Sequence, residues 1–461
     1  MPTLPFPMLA PDDPRLAMTW AAVLVMTVGV AGLALMARAE GGVSFVAQDD
    51  SVTVFVTGCT LGSLRPCGCS GGQLGGLERR SAILNSIPST RRLILDTGHW
   101  IKQDRQQDMI KSRILVRAFQ LMDYDMVHLS DLDLQMALDL GILGEMVAAM
   151  GVITQGATLA DVNLPGAFEK PFMVDGRRLS ALVTAVDDKT LRSRLEGRWP
   201  TSPDEANGVD IYIIDKLDPS VMGISIGPGA RPTCIIGPAD SDEPRLWSDP
   251  NANPVVFSMG RYGRHVVRLR ISVDATQARP KLQFTIQTVS EDLPNRAELV
   301  ALYKDYQKIV AESGLLERNP RVPLPRDLEY VGSKACRQCH RYEYDKAITQ
   351  RHARAYTTLQ EAGSHLDPEC VACHVVGLDH ESGFVEVRET PELTDVGCEV
   401  CHGPGSEHVR TAGKAGTSAP QRACLDCHSP EHSREYAGHE QEFLEKIRHW
   451  KELRKASGVQ Q

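Results

Sequence analysis

The 461-residue chain lacks an excess of positive charge, because 50 Lys and Arg stand against 59 Asp and Glu and give a formal net charge of −9. A chain with a net negative charge is not expected to bind nucleic acid or an anionic lipid surface. Low-complexity tracts are also missing. What remains is an ordinary globular composition, with 42% hydrophobic and 24% charged residues. The length allows about two or three domains.

Cysteine and histidine are concentrated toward the end of the chain. Eight of the 12 cysteines lie between Cys336 and Cys427, and 11 of the 14 histidines lie at or after His340. Both residue types ligate metals, so their concentration in one segment predicts a cofactor domain. The segment contains four C-x-x-C-H pentapeptides: CRQCH (336–340), CVACH (370–374), CEVCH (398–402) and CLDCH (424–428). We number these motifs 1 to 4 in chain order.

The pentapeptide spacing is the one that covalent haem attachment requires. Two thiols three positions apart on one helical turn reach the two vinyl groups of a porphyrin, and the next imidazole lies under the iron. Zinc or a disulfide would explain a single C-x-x-C, but four copies that each precede a histidine predict four haem c groups. The predicted attachment sites are Cys336, Cys339, Cys370, Cys373, Cys398, Cys401, Cys424 and Cys427. The predicted proximal iron ligands are His340, His374, His402 and His428.

Elimination restricts the distal iron ligands. No methionine follows Met259, and the thioethers use every cysteine of this segment. Distal ligands are therefore histidines or weaker ligands, or they are absent. The remaining histidines are His352, His365, His380, His408, His432, His439 and His449. Bis-His ligation lacks the potential-raising effect of Met–His ligation, which predicts low reduction potentials. A five-coordinate iron would instead bind a small ligand.

Three segments resemble the tetrahaem cytochrome c-554 family: YVGSKACRQCHRYEYDKAITQRHARAYTTL (330–359), DPECVACHVVGL (367–378) and VGCEVCHGPGSEHV (396–409). The resemblance implies closely packed, mostly bis-His haems in a largely helical domain, with one haem open in some members. The R/K-H-A and G-P-G-S-E-H motifs of the family match His352 and His408, which makes them the preferred distal ligands. A K-I-x-H pattern makes His449 a third candidate.

Residues 51–290 alternate apolar strand patterns with amphipathic helix patterns, which predicts an α/β layered domain. The predicted strands are 52–58, 92–98, 125–131, 210–215, 233–237 and 254–260, with a hairpin at 265–273 and 281–289. The predicted helices are 77–87, 107–122 and 136–150. Residues 291–327 are interpreted as a helix and a proline-rich linker, and residues 328–461 as the mainly helical tetrahaem domain.

The α/β domain resembles the calcineurin-like metallophosphoesterases and their 5′-nucleotidase branch, in its strand positions and in VFSMGRYGRHVVRLRI (256–271). That resemblance implies a layered sandwich and a dinuclear metal site that activates water. The chain departs from the family at each ligand block, which here reads Cys59-Thr60-Leu61, Gly98-His99, Ser130–Asp133, Lys216 and Gly237–Asp240. We therefore expect a retained scaffold without its dinuclear site, and not a phosphoesterase.

A glycine-rich loop, GCTLGSLRPCGCSGGQLGGLERR (58–80), replaces the first ligand block and contains Cys59, Cys67 and Cys69. Three interpretations are open. Cys59 could form a disulfide with Cys67 or Cys69, as an oxidising compartment favours. The thiolates could instead hold a metal with His99. The third interpretation is a redox-active thiol pair.

The N-terminal sequence predicts the cellular compartment in which the rest of the chain lies. Residues 17–37 are uncharged and long enough to span a bilayer, so they are interpreted as an uncleaved signal anchor between a cytoplasmic segment (1–16) and a tether (38–50). The alternative is a cleaved signal peptide, because Ala37-Arg38-Ala39 is an A-x-A site. Either interpretation exports the remainder, and the first places it on the periplasmic face of a bacterial inner membrane.

These features together predict an electron-transfer cytochrome with redox protein partners, within or docked to a respiratory assembly such as a quinol-oxidising membrane complex. Residues 328–461 contain 16 Lys and Arg against 21 Asp and Glu, which favours a basic partner. The alternatives are a haem oxidoreductase that acts on a small nitrogen or sulfur compound at an open iron, and an active phosphoesterase.

The anchor can be tested by replacing residues 1–39 with a cleavable secretory signal peptide. We expect the native chain to sediment with membranes after a carbonate wash, because residues 17–37 remain in the bilayer. The replaced form should appear in the soluble periplasmic fraction with its haems attached. A native chain that is soluble and begins at Glu40 would contradict the anchor.

Overall fold

The computed structural model describes residues 51–66, 72–103, 105–155, 163–174, 176–197, 207–216, 226, 230–272, 280–418 and 421–450. The predicted membrane span at 17–37 lies outside these ranges. Within them, no helix is both long and apolar enough to cross a membrane.

Two six-stranded sheets form the first part of the structure. Most of their strands are short runs of valine, isoleucine and leucine that are buried on both faces, as in the central strands of α/β proteins. The strands are β1 (Ser51–Thr57), β2 (Arg92–Asp96), β3 (Met126–Leu129), β4 (Gly151–Thr154), β5 (Ala167–Val174), β6 (Arg177–Ala185), β7 (Gly208–Ile213), β8 (Thr233–Gly237), β9 (Arg245–Leu246), β10 (Val255–Ser258), β11 (His265–Ser272) and β12 (Lys281–Thr288).

The first sheet has the order β12-β11-β1-β2-β3-β4. Strands β1 to β4 run parallel, so their carboxyl ends meet at one edge of the sheet. Strand β11 pairs antiparallel with β1, with Ser51 opposite Ser272, and also with β12. The second pairing is the hairpin that the sequence predicts.

The second sheet has the order β5-β6-β7-β8-β10-β9, with parallel pairing from β6 to β10 and antiparallel strands at both edges. The two sheets share one apolar core. Val54 and Leu95 of the first sheet and Val183 and Ile211 of the second are all fully buried in it. Burial of such side chains is worth about 1.5–3 kcal/mol each, which makes this core the main stabilising contact between the sheets.

Helices cover the outer faces of both sheets. Phe119, Met146 and Tyr306 pack on the first sheet, and Leu191 packs on the second. The helices are α1 (Leu77–Leu84), α2 (Gln106–Leu121), α3 (Asp131–Asp139), α4 (Leu143–Ala149), α5 (Asp188–Gly197) and α6 (Ala297–Glu312). The helix, sheet, sheet, helix order confirms the predicted α/β layered sandwich.

The elements differ from the sequence prediction in two respects, a divided helix and four additional strands. The single helix predicted at 136–150 is two helices, α3 and α4, which separate at Gly141 with φ 65°. Strands β4, β5, β6 and β9 were not predicted. Strand β5 alternates exposed residues with partly or fully buried ones and contains Pro171, which is tolerated because β5 lies at the edge of its sheet.

The described part of the chain after Glu312 contains short helices, 3-10 turns and two isolated bridges. Its helices are α7 (Ser333–Cys336), α8 (Arg341–Ala347), α9 (Ala355–Ala362), α10 (Pro368–Val371), α11 (Cys398–His402), α12 (Ser406–Arg410), α13 (Gln421–Cys427) and α14 (Glu440–Lys446). A small core that includes Tyr356, Val371 and Phe384 holds them together. This confirms a mainly helical C-terminal region, which belongs with the sheets to one unit, Asp50–Gln461.

Asp133 connects the loop after β2 to the start of α3. Its carboxylate accepts hydrogen bonds from the N–H groups of His99 (2.6 Å) and Trp100 (2.9 Å). It also accepts from the hydroxyl of Ser130 (2.6 Å), and together the two residues form a capping box. A buried carboxylate with this many donors is costly to remove, because each donor would lose its acceptor.

Substitution of Asp133 tests this structural role. We expect Asp133→Ala to lower the free energy of unfolding by about 2–4 kcal/mol, because it removes the cap and leaves buried N–H groups without acceptors. The control is Asp131→Ala, two residues away and exposed, which should cost less than about 1 kcal/mol. Urea denaturation followed by circular dichroism measures both. Equal losses would contradict the structural role.

Candidate functional site

Each predicted haem motif folds as a short helical turn. The first cysteine and the histidine of motif 1 are joined by a hydrogen bond from the N–H of His340 to the carbonyl of Cys336 (2.9 Å). The same bond joins His428 to Cys424 in motif 4 (2.8 Å). Two thiols on one turn therefore lie on the same side of the backbone, as attachment to a single porphyrin requires.

The four motifs contact one another in a row. Cys336 of motif 1 and Cys398 of motif 3 are hydrogen-bonded, and so are Cys373 of motif 2 and Cys427 of motif 4. The helices of motifs 3 and 4, α11 and α13, also contact each other. The motifs therefore follow one another in space in the order 1, 3, 4, 2.

Three predicted proximal histidines each face a predicted distal histidine. The ring centroids are 5.9 Å apart for His340 and His408, 6.2 Å for His352 and His428, and 6.2 Å for His402 and His449. Two metal–nitrogen bonds of about 2 Å each, added to the radii of the rings, give a centroid separation of about 6 Å. The pairs therefore have the spacing that bis-His ligation of one iron needs.

Hydrogen bonds leave Nε2 of several of these histidines available. Nδ1 of His374 lies 2.6 Å from the carbonyl oxygen of Ala355, and Nδ1 of His408 lies 2.7 Å from that of Ala415. Nδ1 of His428 lies 2.9 Å from Ser433 Oγ, and Nδ1 of His449 lies 3.0 Å from the carbonyl oxygen of Ile447. A histidine that donates from Nδ1 has its lone pair on Nε2, the arrangement that metal-bound histidines use.

Burial keeps several of these imidazoles neutral. It lowers the pKa of His352, His402 and His428, with smaller contributions from neighbouring histidines at the first two. The neutral ring is the form that binds a metal. Pair spacing, tautomer and charge state thus all fit haem iron.

The other histidines of this region have different surroundings. The ring of His365 lies 6.4 Å from Tyr356, and the ring of His380 lies 5.9 Å from Tyr330. His432 is 3.8 Å from a carboxylate oxygen of Glu431, and His439 is the N-cap of α14. The preference for His352, His408 and His449, which rests on family motifs, stays a prediction, and each of the three rings lies about 6 Å from that of a proximal histidine.

The α/β domain holds motif 2 through a buried polar network. Gln107 of α2 donates to the Tyr306 hydroxyl (2.8 Å) and to Asp367 (2.7 Å), and Tyr306 donates to the other oxygen of Asp367 (2.8 Å). Asp367 is the N-cap of α10, the helix that contains Cys370, and accepts from the N–H of Glu369 (3.0 Å). This network ties both domains to the start of motif 2, and no sequence motif signalled it.

The α/β domain also holds the segment that follows motif 4. The Arg264 guanidinium donates to the carbonyls of Pro430 (2.5 Å) and Glu431 (2.9 Å). Lys102 forms an ion pair with Glu431, and Arg434 forms one with Glu243 (2.5 Å). These contacts lie a few residues from His428. Motifs 2 and 4, which abut each other, are therefore the ones placed against the α/β domain.

The strand ends where metallophosphoesterases hold metals are occupied by hydrogen bonds. Asp96 accepts from Thr57 Oγ1 (2.6 Å), the Gly98 N–H (2.9 Å) and Trp100 Nε1 (3.2 Å), and burial raises its pKa. The Cys59 N–H donates to the Gly98 carbonyl (2.8 Å), which joins the two loops. Across the described residues, no group of three or more His, Cys, Asp and Glu has a metal-binding arrangement.

The cysteines of the glycine-rich loop are partly described. Cys67 and Cys69 lie outside the described residues, so the disulfide, metal and redox interpretations stay predictions. Cys59 is buried, and this burial raises the pKa of its thiol to about 12. Cys234 is fully buried in β8, in the apolar core that the two sheets share. A protonated, buried Cys59 is a poor nucleophile.

Comparisons with known proteins agree with the haem motifs. Residues 335–403 match the family model of cytochrome c554 and c-prime. Over 97 residues, the chain is 34% identical to cytochrome c-554 of Nitrosomonas europaea. The aligned segment covers 18% of this chain and 41% of that protein. The chain thus spans less than half of this relative. The predicted resemblance is confirmed, and the C-terminal region is homologous to a family that binds haem c covalently.

Solved structures similar to the chain include a calcineurin-like phosphoesterase of Bacillus subtilis, with 11% identity, a TM-score of 0.38, and coverage of 56% of this chain and 97% of that one. A 5′-nucleotidase precursor of Thermus thermophilus has 14% identity, a TM-score of 0.40 and 68% coverage of both chains. A 5′-nucleotidase from Staphylococcus aureus has 12% identity and a TM-score of 0.41, with coverage of 75% of this chain and 70% of that one. Similarity this low carries no argument about activity.

The network at motif 2 can be tested with Tyr306→Phe, which removes one hydroxyl and keeps the ring. We expect a loss of about 1–3 kcal/mol in the free energy of unfolding, because buried Asp367 and Gln107 each lose a hydrogen-bond partner. The control is Tyr344→Phe, whose ring face contacts Arg337 and which should change stability by less than about 0.5 kcal/mol. Urea denaturation measures both variants, and a neutral Tyr306→Phe would contradict the network.

Proposed function

We propose that this chain is an exported, membrane-anchored c-type cytochrome with four haems that transfers electrons between redox proteins outside the cytoplasm. The observation that carries the proposal is the set of three histidine pairs with ring centroids 5.9–6.2 Å apart, one residue of each pair belonging to a C-x-x-C-H motif. Homology to the cytochrome c554 family supports it independently.

The residues that would hold the haems are the eight motif cysteines and the histidine pairs His340–His408, His352–His428 and His402–His449, with His374 as the proximal ligand of motif 2. When bound, haem supplies a one-electron iron couple whose potential depends on its axial ligands. The chain contributes neutral imidazoles with fixed tautomers and a set of attachment points packed in a row. Closely packed attachment points suit electron transfer from one cofactor to the next.

The proposed role of the α/β domain is structural. Its strand-end carboxylates, Asp96 and Asp133, are used in hydrogen bonds to neighbouring loops. Its helix α2 and Arg264 contact the segments next to motifs 2 and 4. We therefore propose a scaffold that fixes one end of the haem region, in place of a phosphoesterase.

The membrane anchor and the redox assembly rest on the sequence. Residues 17–37 would keep the chain at the periplasmic face of the inner membrane, where a quinol-oxidising complex is a suitable electron donor. Haem attachment by thioether bonds suits this exported location.

Single substitutions of the paired histidines test the function. We expect four haems per native chain by the pyridine haemochrome assay. His352→Ala, His408→Ala and His449→Ala should each convert about one quarter of the haem to a high-spin form that binds CO, because one iron loses an axial ligand. The electron paramagnetic resonance and visible spectra report this change.

His365→Ala and His380→Ala are the matched controls, because they also remove a histidine of the same region. Neither should add high-spin haem beyond the native amount. High-spin haem in a control variant, or its absence in all three test variants, would contradict the assignment of the pairs.

A further inference from the structure

The segment around motif 1 has a charge opposite to that of the protein. Residues 330–354 contain six Lys and Arg against two Asp and Glu, in a chain with a net charge of −9. All six cationic side chains belong to exposed residues. We call them the basic rim: Lys334, Arg337, Arg341, Lys346, Arg351 and Arg354.

The contacts within the segment leave this positive charge at the surface. The guanidinium groups of Arg337 and Arg341 flank a single carboxylate, Asp345, at 3.6 and 3.7 Å. Their side chains remain 52% and 79% exposed. One carboxylate between two guanidinium groups does not neutralise them, so the potential here is positive and acts over about one Debye length, roughly 10 Å at 0.1 M salt.

The first four cations of the basic rim lie within motif 1 or within six residues of it along the chain. Two exposed apolar side chains lie among them, because Tyr342 and Ile348 follow motif 1 in α8 and just beyond, with 40% and 50% exposure. Exposed apolar side chains next to charged ones are typical of the small contacts of redox proteins.

The α/β domain contacts other parts of the haem region. It contacts Asp367 at the start of motif 2 and Glu431 just after motif 4. Motif 1 abuts motif 3 and extends into helix α8, which has no buried residue. The cations of motif 1 and α8 therefore lie on a surface that a partner can reach.

We infer that the basic rim around motif 1 is the docking surface for an acidic redox protein. This inference rests on the proposed electron-transfer function and specifies the partner's charge. It differs from the expectation of a basic partner, which was based on the net charge of residues 328–461. The charges at the contact surface, and not the net charge of the whole domain, determine how a partner is steered electrostatically. They do so because rim charges act on the association rate at short range.

The test compares binding of haem-loaded, full-length variants to an immobilised, acidic plant-type [2Fe–2S] ferredoxin. We expect K334E/R341E/K346E to weaken binding at least about tenfold at low salt and to remove its salt dependence, because attraction becomes repulsion. K334Q/R341Q/K346Q should have an intermediate effect. The matched control R177E/R178E/K281E changes the charge equally at exposed positions of the α/β domain and should alter binding by less than about twofold.

The same samples separate the surface from the function. Reduced ferredoxin passes one electron from its cluster to one ferric haem, and dithionite reduction is the reference. If all variants bind ferredoxin equally and their haems are reduced normally, the docking surface is wrong but the electron-transfer function is not. If dithionite cannot reduce the haems, the electron-transfer function itself is wrong. Self-association that the triple Glu variant abolishes, without ferredoxin binding, would assign the surface to a second copy of the chain and overturn the acidic redox partner.

Discussion

The separation of about 6 Å between paired imidazole rings is the constraint on which the C-terminal region depends. Each pair joins a motif histidine to one from a distant part of the chain, as His352 and His428 do. Among its described residues, strand pairing is limited to two isolated bridges, and the apolar core is small. Iron coordinated between the rings would therefore supply cross-links that the apolar core alone does not, since ligand binding to the folded state stabilises it.

The α/β domain has a larger apolar core than the helical region. Its two sheets share a core of fully buried side chains, and its carboxylates connect loops at the strand ends. Asp367 connects this domain to motif 2, because it caps α10 and accepts from both Gln107 and Tyr306. These contacts are the basis of the scaffold role that we propose for the domain.

Much of the site follows from the sequence because its signals are local. The C-x-x-C-H spacing predicts the attachment sites, and short family motifs predict His352, His408 and His449 as distal ligands. Their pairing with particular proximal histidines could not be predicted, because it depends on contacts between distant segments. The Gln107–Asp367 hydrogen bond spans 260 residues and has no local signal at either end. In the fold, β1, β2, β7, β8 and β10 were predicted from their apolar runs. Edge strand β5 was missed because half of its residues are exposed. Central strand β6 was missed as well, because it begins with two arginines and contains Ser180 and Thr184.

Crystallography of the haem-loaded protein with anomalous scattering at the iron edge measures the central claim directly. The account predicts an iron peak between the rings of each of the three pairs, His340–His408, His352–His428 and His402–His449, with Nε2 of both rings as ligands. Iron peaks that lie beside only one ring of these pairs, or pairs that exchange partners, would contradict it.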